Sequence, residues 1–479
     1  MKREKAISER RKAESINDTL WGGPSRSSEE GSVMELERRG WRIRANCTEQ
    51  LNDIKEDTVQ GAKPYDIDKW TVYEAFKRVK ANGGSSGIDS IGMDAYETNL
   101  KDNLYKIWNR MSSGSYFPKP VKLAEIPKGN GEKRPLGIPT IEDRIAQMTV
   151  VMQIQPLVEP YFHKDSYGYR PNRSAHDAIA KARERCWQYA WVLDMDISKF
   201  FDTIDHELLL KAVEKHIKEK WILLYIRRWI KVPYVKTDGG QIEREKGVPQ
   251  GSVIGPLLAN LFLHFVFDKW MTIRHPSILF ERYADDTICH CKTKEEAEEL
   301  RMSVRARLEQ CRLKLNEEKT KIVYCKTSRR IQDYPIIMFD FLGFTFRPRK
   351  AIDKQNGVCF TSFLPAISKK SAQRIRGEIK LWHLYRLQQF KLPVIARMKN
   401  PIISGWVNYY GKFGRTEFRK VMDFLNKTLA RWARKKFKGL RLGKSRSIYW
   451  LAAVAHENRT LFYHWQKGFI PYQMSCQKG

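Results

Sequence analysis

No apolar run in this 479-residue sequence approaches the ~20 residues needed to cross a bilayer. The opening stretch MKREKAISERRKAESIND mixes both charges and has no apolar centre, so neither a secretory signal nor a transit peptide is expected. The eight cysteines are scattered, and no two form a C-x-x-C pair. That spacing argues for reduced thiols in a cytosol-like compartment and against a zinc ribbon or a disulfide scaffold. Cys289 and Cys291 would share one face of a strand, where packing explains them better than metal binding. Acids are scarce as well. There are 55 Asp+Glu against 87 Lys+Arg, a net charge of +32. A surplus of that size opposes compaction and suits an extended polyanion, so the expected partner is nucleic acid and not a membrane.

Hydrophobic residues make up 42% of the chain, enough for buried cores, and the length suggests two to four domains. Residues 1–61 read as a polar N-terminal extension, partly flexible around GGPSRSSEEGS. Further on, Trp70, Val72, Phe76 and Val79 recur at helical spacing until Gly83-Gly84 ends the pattern. VKLAEIPKGNGEKRPLGIPT predicts a hairpin, and WVLDMDISKFFDTIDHELLLKAVEKH a strand running into a helix. GVPQGSVIGPLLANLFLHFVFDKW reads as a turn and a long apolar helix. ILFERYADDTICHCK reads as strand, tight turn, strand, and FDFLGFTF as one short strand. From Lys369 to Arg446 the chain carries 22 Lys+Arg against three acids at helical spacing, with Trp and Tyr interleaved. Cations beside stacking aromatics suit RNA or DNA.

The acids are few enough that their positions matter. On a strand, Asp194 and Asp196 point to one face, while Asp285-Asp286 sit at the predicted hairpin turn. Carboxylates from separate segments that converge on hard divalent ions are what phosphoryl transfer needs. A surface turn often holds an Asp-Asp pair, so the pair gains meaning only from its company in the sequence.

That company is an ordered series: SSGIDS, RPLGIPTIEDRIAQ, DSYGYRPNRSAHDAI, VLDMDISKFFDTIDHELL, GVPQGSVIGPLLAN, RYADD, LNEEKTK and FLGFTF. From about residue 65 onward it resembles the successive blocks of bacterial group II intron-encoded reverse transcriptases and maturases. The resemblance implies an α+β right-hand polymerase followed by an α-helical thumb or maturase domain. Fingers would occupy 62–185, and a palm with an antiparallel sheet backed by helices 186–347. The thumb (maturase X domain) would occupy 366–430 and a basic DNA-binding segment 431–479.

Residue by residue, Asp196, Asp285 and Asp286 resemble the catalytic carboxylates. With the Ile197 carbonyl they would hold two Mg²⁺ ions, Asp286 more peripherally, and Asp194 would play at most a supporting part. Phe201 resembles the ring that excludes a 2′-hydroxyl; Gln250 and Gly251 resemble the stretch along the incoming nucleotide. Lys128 and Arg134 match the cations that clamp the triphosphate, and Lys319 a general acid for pyrophosphate. Gly343 would approach the primer strand, although a packing glycine would look the same. Lys369, Lys370, Arg374, Arg431, Arg434, Lys435 and Lys436 are the implied nucleic-acid contacts.

Ser90, Ser252 and Gly255 depart from the family pattern, at turns and helix packing and not at the carboxylates. The sequence ends without paired cysteines or a histidine cluster, so nuclease activity is not expected. The implied partners are intron RNA, an RNA template, a DNA primer or target DNA, and dNTPs; a homodimer is left open. The implied location is the bacterial cytoplasm, at the nucleoid when bound to DNA. Two alternatives remain at this point: a reverse transcriptase of a retron, diversity-generating or phage-defence system, and a splicing cofactor without polymerase activity.

Overall fold

A computed structural model describes residues 63–127, 133–353 and 355–471. Two compact units interleave along the chain. Of the described residues, one contains those up to Phe162 together with Lys199–Leu263; the other contains His163–Ser198 and those from His264 onward.

In the first unit the expected N-terminal helix spans Lys69–Asn82. Asp68 caps it by accepting from the Trp70 and Thr71 amides at 3.2 and 2.9 Å. Val72, Ala75, Phe76 and Val79 form its buried stripe, and Gly83 ends it with φ +63°. The predicted hairpin is present: β1 (Val121–Pro127) runs antiparallel to β2 (Lys133–Ile138). Elsewhere in the chain β3 spans Trp191–Met195, and β4 (Tyr234–Val235) and β5 (Gln241–Ile242) complete the first unit's sheet in the order β2-β1-β4-β5. Within this unit the Gly137 amide donates to the Gln250 carbonyl at 2.7 Å, which fixes the Pro-Gln-Gly turn against β2.

In the second unit β6 (Leu279–Tyr283), β7 (Asp286–Cys291), β3 and β8 (Lys321–Tyr324) form an antiparallel sheet, ordered β6-β7-β3-β8. The central strands are buried on both faces, and Cys289 and Cys291 pack there as predicted. Helices Ala175–Gln188 and Lys294–Gln310 pack on the sheet. The stretch FDFLGFTF is two strands and not one: β9 (Phe339–Phe341) folds back into β10 (Phe344–Ile352), and β11 (Cys359–Ile367) extends the sheet. Leu342 and Gly343 both have left-handed φ, at +50° and +79°. That is the signature of a two-residue turn that reverses a strand. Beyond β11 the structure is helical, as the composition shift predicts, through Lys369–Leu381, Leu392–Tyr410, Arg415–Lys436 and Lys444–Glu457. One continuous core joins these helices to the second sheet through Phe344, Phe346, Phe363, Ile375, Leu425 and Trp432. The long apolar helix of the sequence reading is interrupted by one π-helical turn at His264–Asp268. Among the described residues no helix is long and apolar enough to cross a membrane.

Candidate active site

The acidic hairpin is held from below. Ala284 and Asp285 form the turn between β6 and β7, with Tyr283 paired to Asp286 and Ala284 at φ +57°. A left-handed alanine costs energy, so the turn must be fixed by its surroundings. Arg282 does this from a fully buried position. Its Nη1 donates to the Ala284 carbonyl at 3.0 Å, and its Nη2 to Ser166 Oγ at 2.8 Å. The same guanidinium grips Asp268 with both arms, Nε–Oδ1 at 2.7 Å and Nη2–Oδ2 at 2.6 Å. Gly168 lies so close to the turn that an added Cβ would stand 2.5 Å from the Ala284 amide. A second buried group lies beside it: Arg185 pairs with Asp165 at 2.8 Å and Glu281 at 2.7 Å, and His290 Nε2 meets Glu281 Oε2 at 2.6 Å.

β3 delivers the other acids. Its register pairs Met195 with Thr287, and Asp196 follows directly, on the side of the turn. Asp196 Oδ2 accepts from Asn316 Nδ2 and from Lys319 Nζ, each at 3.0 Å, and its carbonyl accepts from the Asn316 amide at 2.8 Å. Ile197 is buried and bridges to Leu315. Asp286 keeps an exposed surface, yet its carboxyl is pushed up to about 6. The protein packed around it is the first cause, followed by the charges of Asp285 and Asp196, with Lys319 opposing. Asp194 is pushed up to about 8 by burial and then by Asp286; Lys321 opposes, and Asp340 and Asp196 add to the rise. The carboxylates are therefore close enough to repel one another, although among the described residues no three His, Cys, Asp or Glu side chains are gathered as a ready-made metal cluster.

The other expected site residues fall as follows. Phe201 is half-exposed in the short helix Phe200–Thr203, while Phe200 is buried beside Phe262. Gln250 Nε2 donates to Asp202 at 3.1 and 3.2 Å. Gly251, at φ +106°, lies where a Cβ would be 2.4 Å from the Gly137 carbonyl. Arg134 stands in β2 opposite Ile126, and Lys128 lies outside the described residues. A Cβ on Gly343 would come within 3.1 Å of both Ser371 Oγ and Tyr410 Oη, so the turn and its packing already require glycine there. Lys369, Lys370, Arg374, Arg431 and Lys435 are exposed. Arg374 reaches Tyr410 Oη at 3.2 Å. Arg434 is half-buried, and Lys436 spends its ammonium on the Gln388 and Phe390 carbonyls at 2.5 and 3.0 Å.

Sequence reasoning missed Asn316, Asp202 and the Arg282–Asp268 pair. Asn316 was within reach, because it belongs to the LNEEKTK block already singled out. Arg282 and Asp268 are 14 residues apart, and nothing in their spacing announces a contact.

An antiparallel sheet with an acid at the end of one central strand and an Asp-Asp pair at the neighbouring hairpin turn is the palm of a nucleic-acid polymerase. A family model described as reverse transcriptase (RNA-dependent DNA polymerase) matches residues 126–346, and one described as group II intron, maturase-specific domain matches 372–450. The chain is 31% identical to protein YkfC of Escherichia coli (strain K12) over 352 residues, covering 65% of this chain and 91% of that protein. It is 30% identical over 300 residues to the group II intron-encoded protein LtrA of Lactococcus lactis subsp. cremoris, covering 61% of this chain and 47% of LtrA. It therefore spans about half the length of LtrA. This chain belongs to the family of group II intron-encoded reverse transcriptases and maturases, which copy RNA into DNA and act in splicing of their intron. The family is one of RNA-binding proteins, and its polymerases generally use divalent metal ions.

Proposed function

We propose that Asp196, Asp285 and Asp286 form the polymerisation centre, at which a DNA primer is extended with dNTPs on an RNA template. The observation that carries this reading is the register that sets Asp196, directly after the Met195–Thr287 pair of β3 and β7, beside the Asp285-Asp286 turn between β6 and β7. Such a donor set, all oxygen, fits hard divalent cations. Asp196, Asp285 and Asp286, with the Ile197 carbonyl, would hold two Mg²⁺ ions. When bound, Mg²⁺ supplies Lewis acidity to the primer 3′-hydroxyl and neutralises charge on the departing pyrophosphate.

The protein's own groups take the remaining roles. Lys319, whose Nζ donates to Asp196 Oδ2 at 3.0 Å, gives a proton to the leaving pyrophosphate. Lys128 and Arg134 bind the triphosphate, Arg134 through its planar fork. Phe201 excludes the 2′-hydroxyl, and Gln250, oriented by Asp202, lies with Gly251 along the incoming nucleotide. Gly343 approaches the primer. Lys369, Lys370, Arg374, Arg431, Arg434 and Lys435 grip RNA and target-DNA backbones, while Lys436, expected among them, holds the Gln388 and Phe390 carbonyls instead; fingers lie at 62–185, palm at 186–347, thumb at 366–430 and the basic segment beyond. The protein works in the bacterial cytoplasm, at the nucleoid when target DNA is engaged, and dimerisation is compatible with this role.

The test is primer extension on an RNA template with dNTPs or rNTPs. Wild type should incorporate dNTPs and reject rNTPs. Phe201→Ala should accept rNTPs with a preference altered roughly tenfold or more, the scale on which steric discrimination works. Unchanged discrimination would remove Phe201 from the site, and no dNTP incorporation by wild type would leave a splicing cofactor.

A further inference from the structure

The polymerisation site makes no use of a basic cavity in the same unit. It has a volume of about 600 Å³ and is lined by Arg183, Arg347, Arg349, Lys350 and Lys412, with Glu417 as the one carboxylate in its wall. The cations come from separate elements. Arg183 lies on helix Ala175–Gln188, Arg347 to Lys350 on β10, and Lys412 just before helix Arg415–Lys436. Glu417 is already committed: its Oε1 lies 3.7 Å from Arg349 Nη1, and Lys420 bonds both its oxygens at 3.0 and 3.1 Å. Among the described residues Arg183, Arg347, Lys350 and Lys412 have no carboxylate at ion-pair distance.

The cavity is built and not merely a patch of solvated lysines. Arg349 is locked by its Nε on the Leu364 carbonyl at 3.1 Å and its Nη2 on the Thr345 carbonyl at 3.3 Å. Burial and then the charge of Arg347 push its guanidinium below the ordinary value, so the cations crowd one another. Arg183 lies over the Trp187 ring at 4.9 Å, and its buried Nε has no hydrogen-bond partner among the described residues. The 22-residue helix Arg415–Lys436 begins at the cavity wall behind Gly414, which offers no side-chain cap. The positive end of that helix adds to the cationic field.

We propose that this cavity binds successive phosphates of a nucleic-acid backbone, at a place that shares no residue with the carboxylate cluster. Cations spread over a strand, a loop and a helix match a run of phosphates better than one small anion. The proposal rests on the reverse transcriptase and maturase reading only for the source of those phosphates. A second hold of this kind would keep a folded strand on the protein while the polymerisation site exchanges its template.

The test is charge reversal at two exposed cations of β10, Arg347→Glu/Lys350→Glu, against Lys294→Glu/Arg305→Glu, which makes the same charge change on helix Lys294–Gln310. Affinity is read by fluorescence anisotropy with a labelled RNA hairpin and a DNA hairpin of the same sequence, across a salt series. The cavity variant should bind about tenfold or more weakly, with a salt slope shallower by roughly two, one for each lost phosphate contact. The control variant should match wild type, and extension of a short, saturating primer–template should be unchanged in both. Loss with the RNA hairpin alone would identify RNA as the source, and loss with the DNA hairpin alone would identify DNA. Equal losses in the two variants, or no loss in the cavity variant, would overturn the proposal. Failure of wild type to extend a primer would sink the polymerase reading instead, and the binding comparison would still decide the cavity.

Discussion

Arg282 and Lys435 carry the same charge and treat it in opposite ways. Arg282 is sealed beneath the acidic hairpin with both arms on Asp268, and nearby Arg185 is shared between Asp165 and Glu281. Lys435, Arg431, Lys369 and Lys370 stand exposed on helices where acids are rare. A buried cation without partners would be ruinous, so Arg282 and Arg185 are each matched with carboxylates, which fixes the geometry of the acidic turn. Exposed cations cost little when unpaired, and their uncompensated field draws phosphate. A chain with a net charge of +32 thus pairs these buried arginines closely and leaves basic residues of both kinds uncompensated outside.

The strongest way to break this contrast is from within. Arg282→Met should destabilise the fold by about 3–5 kcal/mol, because Asp268 is left buried and unpaired. Urea unfolding measures it. Arg282→Lys keeps the charge but loses the fork. The expected result is a fold that survives, with a lower kcat for extension and an unchanged KM for dNTP, since the turn is loosened and the substrate contacts are not. A loss confined to KM would mean Arg282 does not position the turn.

Asp194 lies between the two regimes, half-buried among other acids and opposed by Lys321. Its acid is held at about 8 against 3.8 when free, so the fold binds that proton more tightly than the unfolded chain. The contribution to stability is therefore full below 3.8 and is lost as pH rises towards about 8. In EDTA, Asp194→Asn should be the more stable protein above that range, by on the order of 1–2 kcal/mol after solvent screening, and the advantage should fade in acid. Thermal melts at several pH values decide it. Divalent cation should narrow the gap from the other side, by relieving the repulsion among the acids.

The smallest effects belong to the surface, and there two adjacent lysines sharpen the comparison. Lys436→Ala removes two bonds to main-chain carbonyls and should cost about 1 kcal/mol of stability. Lys435→Ala should cost under about 0.5 kcal/mol, yet reduce the salt slope of RNA binding by roughly one.

Most of this contrast could be read in part from the sequence. The hairpin RYADDTICHC, the strand before Asp196 and the basic helices all follow periodicity and turn chemistry, which are local. The turn at Leu342–Gly343 escaped because a leucine with left-handed φ gives no sign of itself. The Arg282–Asp268 pair escaped for a different reason: the tertiary fold, and not any local pattern, makes the contact. Lys436 shows the converse limit. Its place in RWARKKFKG marks it as one more basic residue, while the fold turns its ammonium onto two carbonyls.

On the proposed reading, the acids at the β3 end and the hairpin turn do the chemistry, and the exposed cations hold the RNA. Single-turnover primer extension by Asp285→Asn, with RNA affinity measured on the same preparation, tests it most directly. Extension should fall roughly 10³-fold or more with RNA affinity unchanged, a loss of several kcal/mol of transition-state stabilisation and no loss of grip. Extension near the wild-type rate, or a parallel loss of RNA binding, would contradict it.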